Sequence, residues 1–177
     1  MLNRALSTLQ GAGITHLAYV GGDAREGVVA NATHISDLLD VEQCTLRGVV
    51  AALQHASPHW QRVMMLACDV PLISSATVTR VLASLDDGID DGADDGADEG
   101  VDAAVASATR VHWSCIAVRT SALSTLQAAL HRHEYAMHRA FTNLQVREVP
   151  VDDREFVNVN TREDLAALIT NDENDRG

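Results

Sequence analysis

Short strand-like segments alternate with helix-like segments along the whole chain. Apolar runs of strand type fall at residues 14–20, 62–68, 103–108, 115–118, 146–149 and 156–159. Apolar residues at helical spacing fall at residues 1–12, 45–55, 74–85, 121–133, 137–144 and 161–169. This alternation predicts an α/β fold in which helices cover both faces of a mostly parallel sheet. Residues 62–68 (RVMMLAC) are the best candidate for a central, buried strand.

The basic side chains are unusual because all 13 of them are arginine and the chain has no lysine. This excludes functions that need a P-loop, Schiff-base or kinase-type lysine. The net charge of −12 argues against a broad nucleic-acid surface, which requires clustered bases. The apolar content of 46% is enough for the core of a single domain spanning residues 1–177.

Most of the negative charge is concentrated in residues 86–102, which hold eight aspartates and one glutamate without a base. This low-complexity segment cannot bury apolar area, so we expect a solvated loop. Its acidic residues do not have the spacing of a calcium-binding loop. We also expect residues 171–177 to form a disordered tail.

The three cysteines, Cys44, Cys68 and Cys115, are far apart in the sequence and form no CxxC pair. This pattern favours reduced cysteines in a cytoplasmic protein, and we expect Cys68 and Cys115 to be buried in their strands. No apolar run approaches the ~20 residues needed to span a bilayer, so we expect no membrane partner. The histidines around Glu134 match no H-E-x-x-H site and predict an exposed polar face.

Asp69 directly follows the best strand, in the segment Cys-Asp-Val-Pro. Open parallel sheets bind ligands beyond the carboxyl ends of their strands, where a carboxylate can hold Mg²⁺ together with substrate phosphates. The alternative is an aspartate that only caps the turn before Pro71. The sequence alone leaves both interpretations open.

Asn158 and Asn160 are one residue apart on a segment expected to be extended, so their side chains point to the same face. Their amides suit a polar ligand, or a metal bound through oxygen. The alternative is a strand-to-helix turn in which asparagine and threonine satisfy backbone groups. Thr161 and Asp164, three residues apart, indicate a capping box at the start of the last helix.

Two motifs, LACDVPLIS and NVNTREDLAAL, together resemble the molybdenum cofactor guanylyltransferases and related nucleotidyltransferases. The order of the other segments is also similar, and the resemblance covers nearly the whole chain. It implies a Rossmann-like three-layer sandwich of the nucleotide-diphospho-sugar transferase type. It further implies transfer of GMP from GTP to molybdopterin with release of pyrophosphate, and transient contact with molybdoenzyme-maturation proteins.

The resemblance also assigns residues. Asp69 matches the metal-binding aspartate and implies a Mg²⁺ cofactor. Asn158 and Asn160 match positions near the acceptor substrate and the metal, so Asn160 is a second metal candidate. Gly48 matches a glycine of the nucleotide-side motif, although the surrounding residues (CTLRGVV) depart from the usual pattern.

The family begins with a strand and a glycine-rich loop of the form LAGGxSxRMGxDK, and this chain starts after them. We therefore expect a sheet that lacks its first strand, and weak or absent catalysis by residues 1–177, because such loops supply much of the phosphate binding. The alternative function is a non-catalytic module of the same fold that binds the pterin cofactor or a protein. A phosphoacceptor receiver domain is disfavoured because it would need a lysine.

Overall fold

The computed structural model describes residues 1–22, 28, 31–38, 42–86, 100–161, 163, 164, 166 and 168. The predicted acidic loop falls mostly, and the predicted tail entirely, outside these residues. The described strands are β1 (Ala18–Val20), β2 (Thr33–Ile35), β3 (Arg62–Leu66), β4 (Ala103–Ser107), β5 (Val111–Arg119) and β6 (Val146–Pro150). The described α-helices with assigned bounds are α1 (Leu2–Gly11), α2 (Thr45–Ala56), α3 (Ser75–Ala83), α4 (Leu123–His131) and α5 (Met137–Ala140).

The strands form two sheets. The larger has the order β3-β5-β4-β6, and the smaller consists of β1 paired parallel to β2. Strands β4 and β6 are parallel, whereas β5 runs antiparallel to both β3 and β4. The α/β class with a mostly parallel sheet is confirmed, because three of the four described strands of the larger sheet run in the same direction and β5 runs opposite to them.

Helices cover both faces of the sheet and bury two apolar layers, which confirms a three-layer sandwich. Helices α2, α4 and α5 pack on the face that carries Val105 and Ile116. Helices α1 and α3 pack on the opposite face, against Ala104 and Cys115. The alternation of these side chains between faces follows from the two-residue period of a strand.

Local signals explain several helix boundaries. Helix α3 begins where the Ser74 hydroxyl accepts a hydrogen bond from the Thr77 N–H at 3.2 Å, as expected for an N-cap serine. Helix α1 ends at Gly11, and Gly13 follows with a φ of 83°, a conformation that glycine adopts without steric cost.

Two expectations from the sequence are wrong, and one strand was not predicted. Residues 62–68 were expected to form a central buried strand, but β3 lies at an edge of the larger sheet and Cys68, beyond its end, is exposed. Residues 156–159 do not form a strand, because Asp153–Phe156 is a 3₁₀ turn and the following residues are irregular. Strand β2 was not expected, since its three residues (THI) carry too short a pattern.

The sheet is interrupted between β1 and β3, because these strands belong to separate sheets. Helix α2 nevertheless packs on both of them. None of the described helices is both long enough and apolar enough to cross a membrane.

Candidate active site

The candidate site lies at the edge where β3, β4 and β6 all end. These three strands run in the same direction, because β3 and β4 are each antiparallel to β5 and β6 is parallel to β4. Helix α2 precedes β3 and runs back along it, so the first turn of α2 lies at the same edge. This edge therefore collects the residues after each strand, as open α/β sheets do at their ligand sites.

Asp69 lies in the turn that follows β3. One of its carboxylate oxygens, Oδ1, is buried and has no hydrogen-bond partner among the described residues. A buried carboxylate oxygen without a partner is costly, because it has lost its water without gaining a donor. This orphaned oxygen is suited to a cation and fits the interpretation of Asp69 as a metal ligand better than that of a simple turn cap.

The segment with the two asparagines lies directly against Asp69. The Val159 N–H donates to the Asp69 carbonyl oxygen at 2.7 Å, and the Val159 side chain is buried. Asn158 and Asn160, on either side of Val159, are exposed. The structure thus brings together Asp69 and both asparagines, which are about 90 positions apart in the sequence.

The predicted capping box is confirmed at the end of this segment. The Asp164 carboxylate accepts from the Asn160 and Thr161 N–H groups, and the Asp164 N–H donates to the Thr161 hydroxyl at 3.0 Å. These bonds hold the pKa of Asp164 below its usual value, and those with Thr161 have the largest effect. Of the predicted last helix, residues 163, 164, 166 and 168 are helical and the rest lies outside the described residues. The cap fixes the backbone beside Asn160.

His112 also supports the asparagine segment, by which we mean residues 153–160, and no sequence motif indicates this role. Its side chain is only 5% exposed, its Nε2 is 2.8 Å from an Asp153 carboxylate oxygen, and its ring stacks on Phe156 at 4.1 Å. Thr109 donates a second hydrogen bond to Asp153 at 2.8 Å. These two bonds hold the pKa of Asp153 below its usual value. Together they attach the start of the segment to the sheet edge.

Glu155 provides a further attachment. Its carboxylate accepts from the Ser74 N–H at 2.9 Å and from the Ser74 hydroxyl at 3.2 Å, at the start of α3. A carboxylate at a helix N-terminus is stabilised by the exposed N–H groups and by the helix dipole. No pattern in the sequence predicts either the Glu155 or the His112 contact, because each joins residues about 40 to 80 positions apart.

A cationic side chain lies next to the turn that carries Asp69. The Nε of Arg4, in the first turn of α1, donates to the Pro71 carbonyl oxygen at 2.5 Å. This contact places a guanidinium, a group suited to phosphate, beside the Cys-Asp-Val-Pro turn. Arg4 is a candidate phosphate contact that no motif in the sequence indicates.

Gly48 is the fourth residue of α2, and outside its own stretch of helix no atom of the described residues lies within 4 Å of the position that its Cβ would occupy. Packing against the protein therefore does not require a glycine there. Its neighbour Arg47 forms a half-buried ion pair with Asp37, which fixes the start of α2 to the loop after β2. Gly48 thus lies at the same edge of the sheet as Asp69, but within the described part of the chain nothing joins the two residues.

The two glycines after β1 also lie at this edge. Gly21 and Gly22 have φ values of 82° and 66°, in the region that favours glycine. The His34 Nε2 is 3.0 Å from the Gly22 carbonyl oxygen, and a Cβ on Gly21 would lie 3.5 Å from the Asp37 carboxylate. The pair forms a tight turn, and the sequence around it is not a dinucleotide fingerprint.

The oxygen atoms of Asp69 and Asn160 fit a hard divalent cation whose remaining coordination positions are filled by the substrate. Within the described ranges, no group of three or more His, Cys, Asp or Glu side chains could hold a metal. Mg²⁺ is usually bound through one or two carboxylates plus water and substrate phosphates, so a single aspartate with amide oxygens nearby is sufficient. Asp69 and Asn160 are the residues that could hold such an ion.

The contacts and burial of the histidines around Glu134 and of Cys115 can be explained without a catalytic role. His131, His133 and His138 are exposed as expected, and Glu134 pairs with Arg132 at 3.1 Å. Burial raises the pKa of the Cys115 thiol to about 12, which makes it unreactive.

Comparison with known proteins gives the family. A model of the MobA-like NTP transferase domain matches residues 1–149, most of the chain. The chain belongs to the MobA-like NTP transferase family. It is therefore a nucleotidyltransferase by class, and enzymes of this family generally use divalent metal ions. The sequence matches none of the curated proteins at a significant level.

Solved structures share the fold of this MobA-like chain. The molybdopterin-guanine dinucleotide biosynthesis protein A of Archaeoglobus fulgidus is 22% identical, with a TM-score of 0.63 over 90% of this chain and 80% of that one. The 2-C-methyl-D-erythritol 4-phosphate cytidylyltransferase of Thermus thermophilus is 13% identical, with a TM-score of 0.67 over 94% and 85%. The Mycobacterium tuberculosis protein Rv0371c, solved with manganese, is 16% identical, with a TM-score of 0.62 over 94% and 84%.

Proposed function

We propose that this MobA-like chain transfers GMP from GTP to molybdopterin. The observation that carries the proposal is the orphaned, buried Oδ1 of Asp69 at the edge where three strands end. Its surroundings add a guanidinium from Arg4 and two exposed amides, from Asn158 and Asn160. An anion-binding group, a carboxylate and uncharged hydrogen-bonding groups are what a nucleoside triphosphate and a phosphorylated acceptor require.

In the proposed reaction, an oxygen of the molybdopterin phosphate attacks the α-phosphorus of GTP. A new P–O bond forms there, the bond between the α-phosphorus and the bridging oxygen to the β-phosphate breaks, and pyrophosphate leaves with that electron pair. The chemistry needs little besides alignment and neutralisation of charge. Mg²⁺, when bound, neutralises charge on the triphosphate.

Each site residue has a separate role in this proposal. Asp69 holds the cation, with Asn160 as a second oxygen ligand. Asn158 binds the acceptor. The backbone of Asn158 is held in place because the neighbouring Val159 is hydrogen bonded to the backbone of Asp69. Gly48 leaves space for the nucleotide beside the first turns of α2. Arg4 contacts phosphate oxygens.

The test uses residues 1–177 with molybdopterin and GTP labelled at the α-phosphorus, and follows label in the dinucleotide product. Asp69→Asn removes the charge with little change in shape, and we expect it to reduce product formation at least about a hundredfold. Asp86→Asn is the matched control, because Asp86 pairs with Arg62 at the opposite end of β3. CTP in place of GTP tests the choice of base.

The outcomes separate the proposal from its alternative. Equal and measurable product from the wild-type chain and Asp69→Asn would remove Asp69 from catalysis. Retention of molybdopterin without any product from either nucleotide would instead favour the non-catalytic binding module. More product from CTP than from GTP would keep the nucleotidyltransferase and reject the guanine specificity.

A further inference from the structure

A cavity of about 420 Å³ lies on the face of the larger sheet that α2, α4 and α5 cover. Its lining on the sheet side includes Val105 of β4, Trp113 of β5 and Glu148 of β6. On the helix side it includes Phe141, directly after α5. Small-molecule sites have volumes of this order, and they combine apolar walls with a few polar groups.

The cavity begins beside the candidate active site. The Ala67 N–H donates to the Ser114 carbonyl oxygen at 2.8 Å, so β5 stays paired with the chain one residue beyond the end of β3. Trp113 precedes Ser114 on β5 and therefore lies beside the turn that carries Asp69. The Trp113 wall of the cavity is thus the wall nearest to the orphaned carboxylate oxygen.

The opposite wall of the cavity carries a carboxylate, that of Glu148 on β6. The Ser107 hydroxyl donates to its Oε2 at 2.6 Å, and among the described residues nothing donates to its Oε1. The residues that line the cavity include no arginine, so the cavity is unsuited to a phosphate. It suits an uncharged group with two adjacent N–H donors, because a carboxylate accepts such a pair through both of its oxygens.

The aromatic side chains of the cavity offer one flat surface. The rings of Trp113 and Phe141 are 5.1 Å apart and tilted by 45°. Phe141 is buried, whereas Trp113 is half-buried, so Trp113 is the ring of this pair that a ligand can cover. A single face suits a flat heterocycle stacked on it, whereas alkylammonium groups are bound in cages of several aromatic faces.

From this arrangement we propose that the cavity binds the pterin ring of the acceptor through its 2-amino-4-oxopyrimidine edge. The ring N–H and the amino group donate to Glu148, and the ring lies on Trp113. The inference rests on the proposed function, which supplies a pterin with its phosphate at the other end of the molecule. Strands β6 and β3 are three strand spacings apart, about 14 Å. A ring held at Glu148 therefore directs its phosphate across Trp113 towards Asp69.

The test measures binding of 6-hydroxymethylpterin to the whole chain by isothermal titration calorimetry, without nucleotide. Glu148→Gln keeps the shape of the side chain but removes its charge and one acceptor, and we expect it to weaken binding at least about tenfold. The matched control is Glu134→Gln, because Glu134 is paired with Arg132 in the turn after α4 and does not line the cavity. It should bind the pterin as the wild type does.

A second ligand tests the recognised edge directly. 6-Hydroxymethyl-lumazine has an oxygen in place of the 2-amino group, and we expect the wild-type chain to bind it at least about tenfold more weakly than the pterin. Equal affinity for the two compounds, equal affinity of wild type and Glu148→Gln, or no binding of the pterin to wild type would each overturn the proposal.

Tryptophan fluorescence tests the stacking. Trp60→Phe leaves Trp113 as the only tryptophan of the chain. We expect saturating pterin to quench the emission of Trp113 in this variant, because the two rings are in contact. Emission that is unchanged at saturation would contradict a ring stacked on Trp113.

The guanine of GTP has the same 2-amino-4-oxopyrimidine edge, so GTP binding separates the two sources of this ring. Glu148→Gln should leave GTP affinity unchanged. If it weakened GTP binding and left pterin binding intact, the cavity would be assigned to the nucleotide and the proposal would be overturned.

Turnover distinguishes failure of this inference from failure of the proposed function. In Glu148→Gln we expect the KM for molybdopterin to rise at least about tenfold, with kcat unchanged. Pterin binding that depends on Glu148, without any product, would support the cavity and reject the transfer reaction. Product with the same KM in wild type and Glu148→Gln would support the transfer reaction and overturn the cavity assignment.

Discussion

Strands β3 and β4 are both five residues long and belong to one sheet, yet they are buried to very different extents. Strand β3 (RVMML) carries the larger apolar side chains but is only half-buried, whereas β4 (AAVAS) has four fully buried residues. The difference arises because, among the described strands, β4 is paired on both sides and β3 on one side only. Neighbouring strands, rather than hydropathy, therefore decide how deeply a strand is buried here.

The candidate functional residues lie beside β3, the less buried of the two strands. Asp69 follows β3, and the Asn158–Asn160 segment is bonded beside it. The fully paired centre carries no candidate chemistry, and its one ionisable thiol, Cys115, is held inactive by burial. The centre thus supports the site, while the edge after β3 presents it.

The largest difference between the two regions should appear in cysteine labelling. Cys115 lies on central β5 with a pKa of about 12, so at pH 8 only about one molecule in ten thousand carries its thiolate. Cys68, beside Asp69, is exposed. We expect iodoacetamide to modify Cys68 about a thousandfold faster or more, as measured by peptide mass spectrometry. Comparable rates at the two cysteines would show that the centre opens readily.

Cavity-forming substitutions should show the next largest difference. Ile116 on β5 is 1% exposed, and Ile116→Ala should cost about 2–5 kcal/mol of unfolding free energy. Met64→Ala on half-buried β3 should cost only about 1–2 kcal/mol, since less of the Met64 side-chain surface is removed from water on folding. Urea unfolding of both variants measures the ratio. Equal losses would contradict the incomplete cover of β3.

A smaller effect should follow from releasing the asparagine segment. His112→Phe keeps a ring against Phe156 but loses the bond to Asp153. We expect the Val159 amide, which is bonded to Asp69, to exchange about five- to tenfold faster. The matched control, exposed His138→Phe, should leave this amide unchanged. Unchanged exchange in His112→Phe would mean that Glu155 alone holds the segment.

Acidification should release the same attachment. The bonds from Thr109 and His112 hold the pKa of Asp153 below its usual value. A group whose pKa is lowered by folding stabilises the folded state above its unfolded pKa, and loses this effect as the pH falls through the folded value. In the wild-type chain, we therefore expect the Val159 amide to lose protection as the pH falls through the folded pKa of Asp153. The exchange rates are first corrected for the pH dependence of exchange in an unfolded chain. In Asp153→Asn the loss should be absent.

The smallest effect should come from Gly48→Ala. Space around the Cβ position is open and the residue is helical, so the substitution should stabilise the fold by about 0.5–1 kcal/mol. If Gly48 contacts the nucleotide, GTP affinity should nevertheless fall. Thermal unfolding and equilibrium binding measure the two quantities. Higher stability with unchanged affinity would remove Gly48 from the nucleotide site.

The sequence predicted the parts of the molecule that depend on local patterns. Helical spacing and the Ser74 cap located α3, and the apolar run before Asp69 placed that aspartate at a strand end. It did not predict that Cys68 is exposed, because exposure depends on which strand lies next to β3. It also missed His112, whose contacts with Asp153 and Phe156 cross about 40 positions of sequence. Such contacts are set by tertiary packing and leave no periodic signal.

Titration of Mn²⁺ by electron paramagnetic resonance tests the central assignment, that Asp69 holds the divalent cation. The experiment compares the wild-type chain, Asp69→Asn and the control Asp86→Asn, each in the presence of a non-hydrolysable analogue of GTP. We expect wild type and Asp86→Asn to bind one Mn²⁺ equally well, and Asp69→Asn to bind it at least about tenfold more weakly. Equal affinity in all three chains would contradict the account, because the orphaned oxygen of Asp69 would then have no part in cation binding.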